Sequence, residues 1–188
     1  MPISQIVTNS ITTGAVSSPK LASGVPTRAQ LPSGSVLQVI QTTKTDLFST
    51  TSTSWTDWTG MSVTITPQSS SSKFLIMVTS GVSNTLTNSF QYVKLVRNGT
   101  DIALGDTAGP ATRCWIDAAL QNSAGFDIIQ KTLSGVFLDS PATTSALTYK
   151  LQVIRTANGT AFFGRTADIA DANRSSIPST ITVMEVAG

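Results

Sequence analysis

The pattern of apolar and polar positions divides the chain near residue 34. From Ser35 onward, short apolar runs alternate with turn residues, and Val36, Leu37, Val39 and Ile40 fall in the first run. Ser62-Val63-Thr64-Ile65-Thr66 alternates strictly, which predicts a strand with Val63 and Ile65 facing inward, because successive side chains of a strand point to opposite faces. Pro67 ends it, and residues 68–72 read as a polar loop. Tyr92–Arg97 leads into Asn98-Gly99 and then Asp101–Leu104. Asn-Gly between two such runs predicts a hairpin, since both turn positions require positive φ. The same device is read at Tyr149–Arg155, Asn158-Gly159 and Ala161–Phe163. Further strands are expected near Arg113–Ala118 and within 125–138, and Thr180–Val186 closes the chain. Short strands at this spacing indicate an antiparallel β-sandwich or jelly roll.

One run breaks the alternation. Phe74-Leu75-Ile76-Met77-Val78 is apolar on both faces, so both faces are expected to be covered. In a two-sheet sandwich only one face of each sheet meets the core. A second subunit is the simplest cover for the other, which makes Phe74, Leu75, Ile76, Met77 and Val78 candidate trimer-interface residues.

Residues 1–34 differ from the rest. They are rich in Ser, Thr, Gly and Pro and contain no aromatic residue. Ile6, Ile11, Val16 and Leu21 stand five apart, a spacing that matches neither helix nor strand. Such a segment forms no core of its own. It is either a disordered linker or an extended arm whose four apolar residues anchor it to a partner. Leu31-Pro32-Ser33-Gly34 is a turn that marks the boundary, giving an arm at 1–34 and a sandwich domain at 35–188.

Composition supports the all-β reading. Charged residues are 12% of the chain, against about 25% in an average globular protein. Ser and Thr are abundant, and Glu185 is the single glutamate, which suits strand surfaces and disfavours exposed helices. The formal net charge is +2 with Lys and Arg scattered singly, so no nucleic-acid face is expected. Met1–Ser10 lacks the pattern of a signal peptide, and no apolar run approaches a membrane span, so no membrane insertion is expected. Cys114, the only cysteine, is expected to pack in an apolar environment beside Trp115.

Catalytic chemistry is poorly supplied. The chain has no histidine, which removes the usual general base and the Ser-His-Asp arrangement. One cysteine cannot build a zinc site. The ten acids are dispersed, so neither a catalytic pair nor a resident metal is expected, and no cofactor is implied. Asp168 and Asp171, with Asn173 nearby, could offer oxygens to calcium, although solvated or turn-capping carboxylates are the plainer reading. The sequences starting at Asn98, Asn158 and Asn173 match the N-glycosylation pattern. Hairpin geometry accounts for the first two, and all three are read as unmodified. Trp55 and Trp58 suit packing at a sandwich edge or, alternatively, stacking on a glycan. Glu185 shares a face with Ile181 and Val183. It therefore needs a partner such as Arg155 or Arg165 if buried, or else lies at an exposed strand end. If the domain contacts a host surface, specificity is expected in loops. Asn84–Ser89, Asp106–Pro110 and Ala167–Ser176 are the candidates, with Asn84, Asp106, Asp168, Asp171 and Asn173 as contact residues beside Trp55 and Trp58.

Ile11-Thr-Thr-Gly-Ala-Val-Ser-Ser-Pro-Lys-Leu-Ala22 resembles the short repeated arm units of tailed-phage fibre proteins. Leu31-Pro-Ser-Gly-Ser-Val-Leu-Gln38 is similar to the opening of the domain that often follows them. Leu147-Thr-Tyr-Lys-Leu-Gln-Val153, the Asn158-Gly-Thr turn, Arg165 and Ser179-Thr-Ile-Thr-Val-Met-Glu185 are similar to that domain's closing strands. The resemblance implies a homotrimeric virion protein with a TNF/C1q-like jelly-roll head on the particle surface. It also implies an arm bound to other virion proteins and a head that contacts a host glycan or protein. A single arm unit departs from fibres with long shafts. The same plan, a short arm and one domain, is that of capsid cement or head-decoration proteins, in which the arm would pin neighbouring capsid subunits. A free carbohydrate-binding module is the third alternative.

Overall fold

The computed structural model describes residues 31–85, 89–117, 130–156, 159–170, 172 and 174–188. The described chain forms β1 (Val36–Lys44), β2 (Phe48–Thr50), β3 (Thr56–Ile65), β4 (Lys73–Asn84), β5 (Gln91–Arg97), β6 (Thr100–Ile102), β7 (Ile116–Asp117), β8 (Lys131–Asp139), β9 (Leu147–Arg155), β10 (Ala161–Phe163) and β11 (Ser179–Val186). They make two antiparallel sheets, one in the order β1-β11-β4-β10-β2 with β8 on β4, the other β3-β9-β5-β6 with β7 on β5.

Three pairs of short elements are halves of interrupted strands. β11 pairs with Lys73–Thr79 of β4, and β10 pairs with Val82–Asn84 of the same strand. β1 runs along β11 and β2 along β10. β6 and β7 likewise pair with successive parts of β5. Counted this way there are eight strands, ordered 1-8-3-6 in the first sheet and 2-7-4-5 in the second. That order is the double Greek key of a jelly roll.

The core lies between the sheets. Phe74, Ile76 and Val78 from β4, Ile181 and Val183 from β11, Val63 and Ile65 from β3, Val93 and Leu95 from β5, and Tyr149, Leu151 and Val153 from β9 are buried there. The inward positions expected for Val63 and Ile65 are found, as is the Asn98-Gly99 hairpin, with φ of 47° and 86°. The second expected hairpin is not. β9 pairs with β3 and β5, whereas β10 pairs with β2 and β4, so the two strands belong to different sheets and do not form a hairpin. A local turn signal does not distinguish a return within a sheet from a passage across the core.

The residues proposed from the doubly apolar run separate by face. Phe74, Ile76 and Val78 are fully inside the sandwich, so they are core residues and not interface residues. Leu75 and Met77 point to the outer face of the sheet and are only partly buried.

Strand direction gives the domain two ends. The arm root at Leu31–Ser35 sits against the end of β11, with Gly34 N–H donating to the Ala187 carbonyl at 2.8 Å and Ala187 N–H to Ser35 at 2.8 Å. The β2–β3, β4–β5, β7–β8 and β9–β10 links all leave the sheets at the opposite end. β9, with nine residues, spans the distance between them, roughly 30 Å at the usual strand rise.

Candidate interaction surfaces

The four arm anchors Ile6, Ile11, Val16 and Leu21 lie outside the described residues, as do Asp171 and Asn173. The remaining candidates do not converge. Trp58 is buried in the core, its ring centroid 4.4 Å from Phe163 and 6.0 Å from Phe48. It is therefore a packing residue and not a glycan platform. Trp55 is half-buried, and the Lys94 ammonium sits 4.9 Å from its ring centroid, so one ring face is already taken. Asn84 is buried and donates to the Ser89 carbonyl at 3.1 Å. Asp106 is exposed in the link between β6 and β7.

Asp168 is held by its own loop. One carboxylate oxygen accepts from Ala170 N–H at 2.9 Å and the other from Arg174 at 2.9 and 3.2 Å. These bonds, the backbone one foremost, keep its carboxyl below the usual carboxylate range. A carboxylate already paired with a guanidinium is a poor calcium ligand. Among the described residues no group of three or more His, Cys, Asp or Glu is placed to hold a metal. No helix of the described residues is long and apolar enough to cross a membrane. A cavity of about 380 Å³ beside the arm root is lined by Leu31, Leu37, Gln68, three serines, Ala187 and Gly188, with no ionisable side chain.

Buried polar groups are concentrated at the two ends of the core. At the arm end, Arg97 from β5 donates to both oxygens of Asp139 on β8 at 2.7 Å, and the Tyr149 hydroxyl donates to the same carboxylate at 2.7 Å. Burial, then the bond to Asp139, pushes the Tyr149 phenol well above its ordinary pKa. The three residues join the two sheets. Glu185 is fully buried at this end, accepting from Gln38 at 2.5 Å and from Gln68 N–H at 2.6 Å. The arginines expected as its partners are engaged elsewhere. Arg165 lies over the Phe162 ring at 4.0 Å, and Arg155 donates to the Thr51 carbonyl. Arg155 and Gln91 pair across β9 and β5 at the far end of the core. Both are buried, and Arg155 Nε and Nη1 and Gln91 Oε1 have no hydrogen-bond partner among the described residues. Cys114 is half-buried, and burial raises its thiol pKa.

The outer faces were not distinguished by sequence. On the β3-β9-β5-β6 sheet, Asp57 bonds Lys150 at 2.8 Å and Gln152 at 2.6 Å, Lys94 pairs with Asp101 at 2.9 Å, and Thr64 bonds Thr148 at 2.9 Å. On the other sheet, Val39 pairs with Met184, Met184 with Leu75 and Leu75 with Leu138, an apolar row across four strands. Val136 and Leu138 carry a signal that was available, an apolar i, i+2 pair on one side of a strand.

No protein-family model matches the chain, and no curated protein matches it. Sixteen chains of solved structures match. One is from the structure of infectious bursal disease virus Gx strain, at 15% identity and a TM-score of 0.43, covering 82% of this chain and 41% of that one. The present chain therefore spans less than half the length of that neighbour. The jelly-roll assignment rests on the strand order described above.

Proposed function

We propose that this protein is a non-enzymatic structural component of a virus particle, a homotrimeric fibre or short spike of a tailed phage. In this reading its arm binds other virion proteins and its jelly-roll head presents loops to a host surface. The observation that carries this reading is the polarity of the domain. The arm root lies at one end of the sandwich and the β2–β3, β4–β5, β7–β8 and β9–β10 links lie at the other. An element anchored at one end and recognising at the other needs this arrangement.

Jelly rolls also serve as cupins and lectins, and a fold by itself does not fix function. A cupin-type metal enzyme is disfavoured because the chain has no histidine. A lectin reading based on the tryptophans loses Trp58 to the core and one face of Trp55 to Lys94. The arm-unit resemblance at Ile11–Ala22 is what favours a phage particle over other virions.

The test is localisation in a reconstruction of the particle. Threefold density projecting from the tail, with the arm root proximal, is the expected result. Density lying flat across capsid subunits would replace the fibre with a cement protein. Absence from the particle would overturn the proposal.

A further inference from the structure

We infer that the outer face of the β1-β11-β4-β8 sheet is the surface through which copies of this chain pack on one another. The inference rests on the oligomeric reading above and gives it a location.

Register fixes the composition of this face. Besides the row Val39–Met184–Leu75–Leu138, the pairs Met77–Val136 and Val36–Val186 lie on the same side. The other outward positions are Gln41, Thr43, Thr79, Gly81, Thr132, Ser134, Thr180 and Thr182, and Lys73 at the rim is the one charged residue among these registered outward positions. Val136 is 65% exposed, Val36 55%, Val39 52% and Leu138 51%. These are four of the eight large apolar side chains exposed among the described residues, gathered on one face. An apolar patch of this kind on a soluble domain marks an interaction surface.

Three features select a second copy as the occupant. The first is charge. A face with almost no charge meets its own copy without like-charge repulsion, whereas a strongly charged partner gains nothing from it. The second is size. Four strands about 4.8 Å apart and about eight residues long give a flat footprint of roughly 500 Å². Side-chain relief raises the accessible area towards the ~800 Å² per partner of a standard protein interface. An extended peptide such as residues 1–30 covers only about 5 Å of width, so it would fill one of the three apolar rows. The third is the edge. β8 carries Val136 and Leu138 and pairs only with β4 among the described strands. An open apolar edge strand promotes uncontrolled association unless a defined neighbour covers it.

The test measures the mass of the full-length protein by light scattering and sedimentation across a dilution series. Val136→Lys/Leu138→Lys should weaken association at least 100-fold, while Thr64→Lys, on the outer face of the opposite sheet, should leave it unchanged. If the double lysine variant does not fold by circular dichroism, Val136→Ser/Leu138→Ser is measured in its place and should weaken association at least 10-fold. An unchanged oligomer in a folded variant overturns the inference while leaving the particle assignment intact. Dissociation on removing residues 1–30, with no effect of the β8 changes, also overturns it and assigns the contact to the arm. A wild-type chain that is monomeric at every concentration removes both this interface and the trimer proposed above.

Discussion

The two sheets present opposite outer faces to their surroundings. The β3-β9-β5-β6 sheet carries Asp57, Lys94, Lys150 and Gln152, joined by ion pairs and hydrogen bonds that remain compatible with water. The β1-β11-β4-β8 sheet carries Val39, Met184, Leu75, Leu138, Met77 and Val136 with almost no charge. Both sheets supply the same core, so folding alone does not require the difference. Solvent covers the charged positions of the first face, while Val96 and Lys94 on it are buried by the protein itself. The second keeps apolar surface in contact with water unless another surface covers it.

Substitutions on the inner and outer sides of β4 should separate most clearly. Phe74→Ala removes a fully buried ring and should cost about 3–5 kcal/mol in urea unfolding. Leu75→Ala, one residue on but outward, should cost about 1 kcal/mol in the dissociated protein; equal losses would contradict the assignment of faces. Asp139→Ala strips Arg97 and the Tyr149 hydroxyl of their shared acceptor. It should cost about 3 kcal/mol, with little recovery in high salt, because the pair is largely shielded from water.

The same site should govern the alkaline limb of stability. The Tyr149 pKa is raised in the folded state, chiefly by burial. Its contribution is therefore complete below the unfolded value of about 10 and is lost as pH rises beyond it. Tyr149→Phe should flatten that limb in thermal scans between pH 9 and 11. The smallest effect is expected on the charged face. Lys150→Ala should cost only about 0.5 kcal/mol, and less in 1 M salt. The hydrogen bond from Lys150, foremost, holds the Asp57 carboxyl below its ordinary range. That increment is present above the unfolded carboxylate value of about 4 and fades as pH falls below it. A Lys150 effect indifferent to salt would mean that this face is more shielded than its ion pairs imply.

The sequence made the fold class visible through alternation at Val63 and Ile65, the Asn98-Gly99 turn and the scarcity of charge. It did not show which way β4 faces, because an all-apolar run reads identically from either side. The register with β8 and β11 separates Phe74 from Leu75. Trp58 was read as edge packing or a glycan platform, and its place in the core itself has a related cause. β3 is irregular between Asp57 and Ser62, and Gly60 has a φ of 84°. Trp58 and Met61 thus both turn inward although they stand three apart. A glycine inside a strand is the available signal for such an irregularity. Glu185 was read as needing a partner if buried or else as lying at an exposed strand end; Gln38 and the Gln68 amide were not foreseen, since both come from distant segments brought together only by the sheet.

The interruption between β10 and β11 has a practical consequence. The chain leaves the sheet after Gly164 and rejoins it at Ser179, and the gap is closed by Ile177 N–H on the Gly164 carbonyl at 2.7 Å and by the Arg165–Ser176 bridge. The base of this excursion is fastened independently of its tip. Lengthening a loop whose ends are already fixed adds only about 0.6 kcal/mol per doubling. Foreign peptides grafted near Ala170 should therefore be carried by the sandwich without disturbing its register, making the excursion a natural display position.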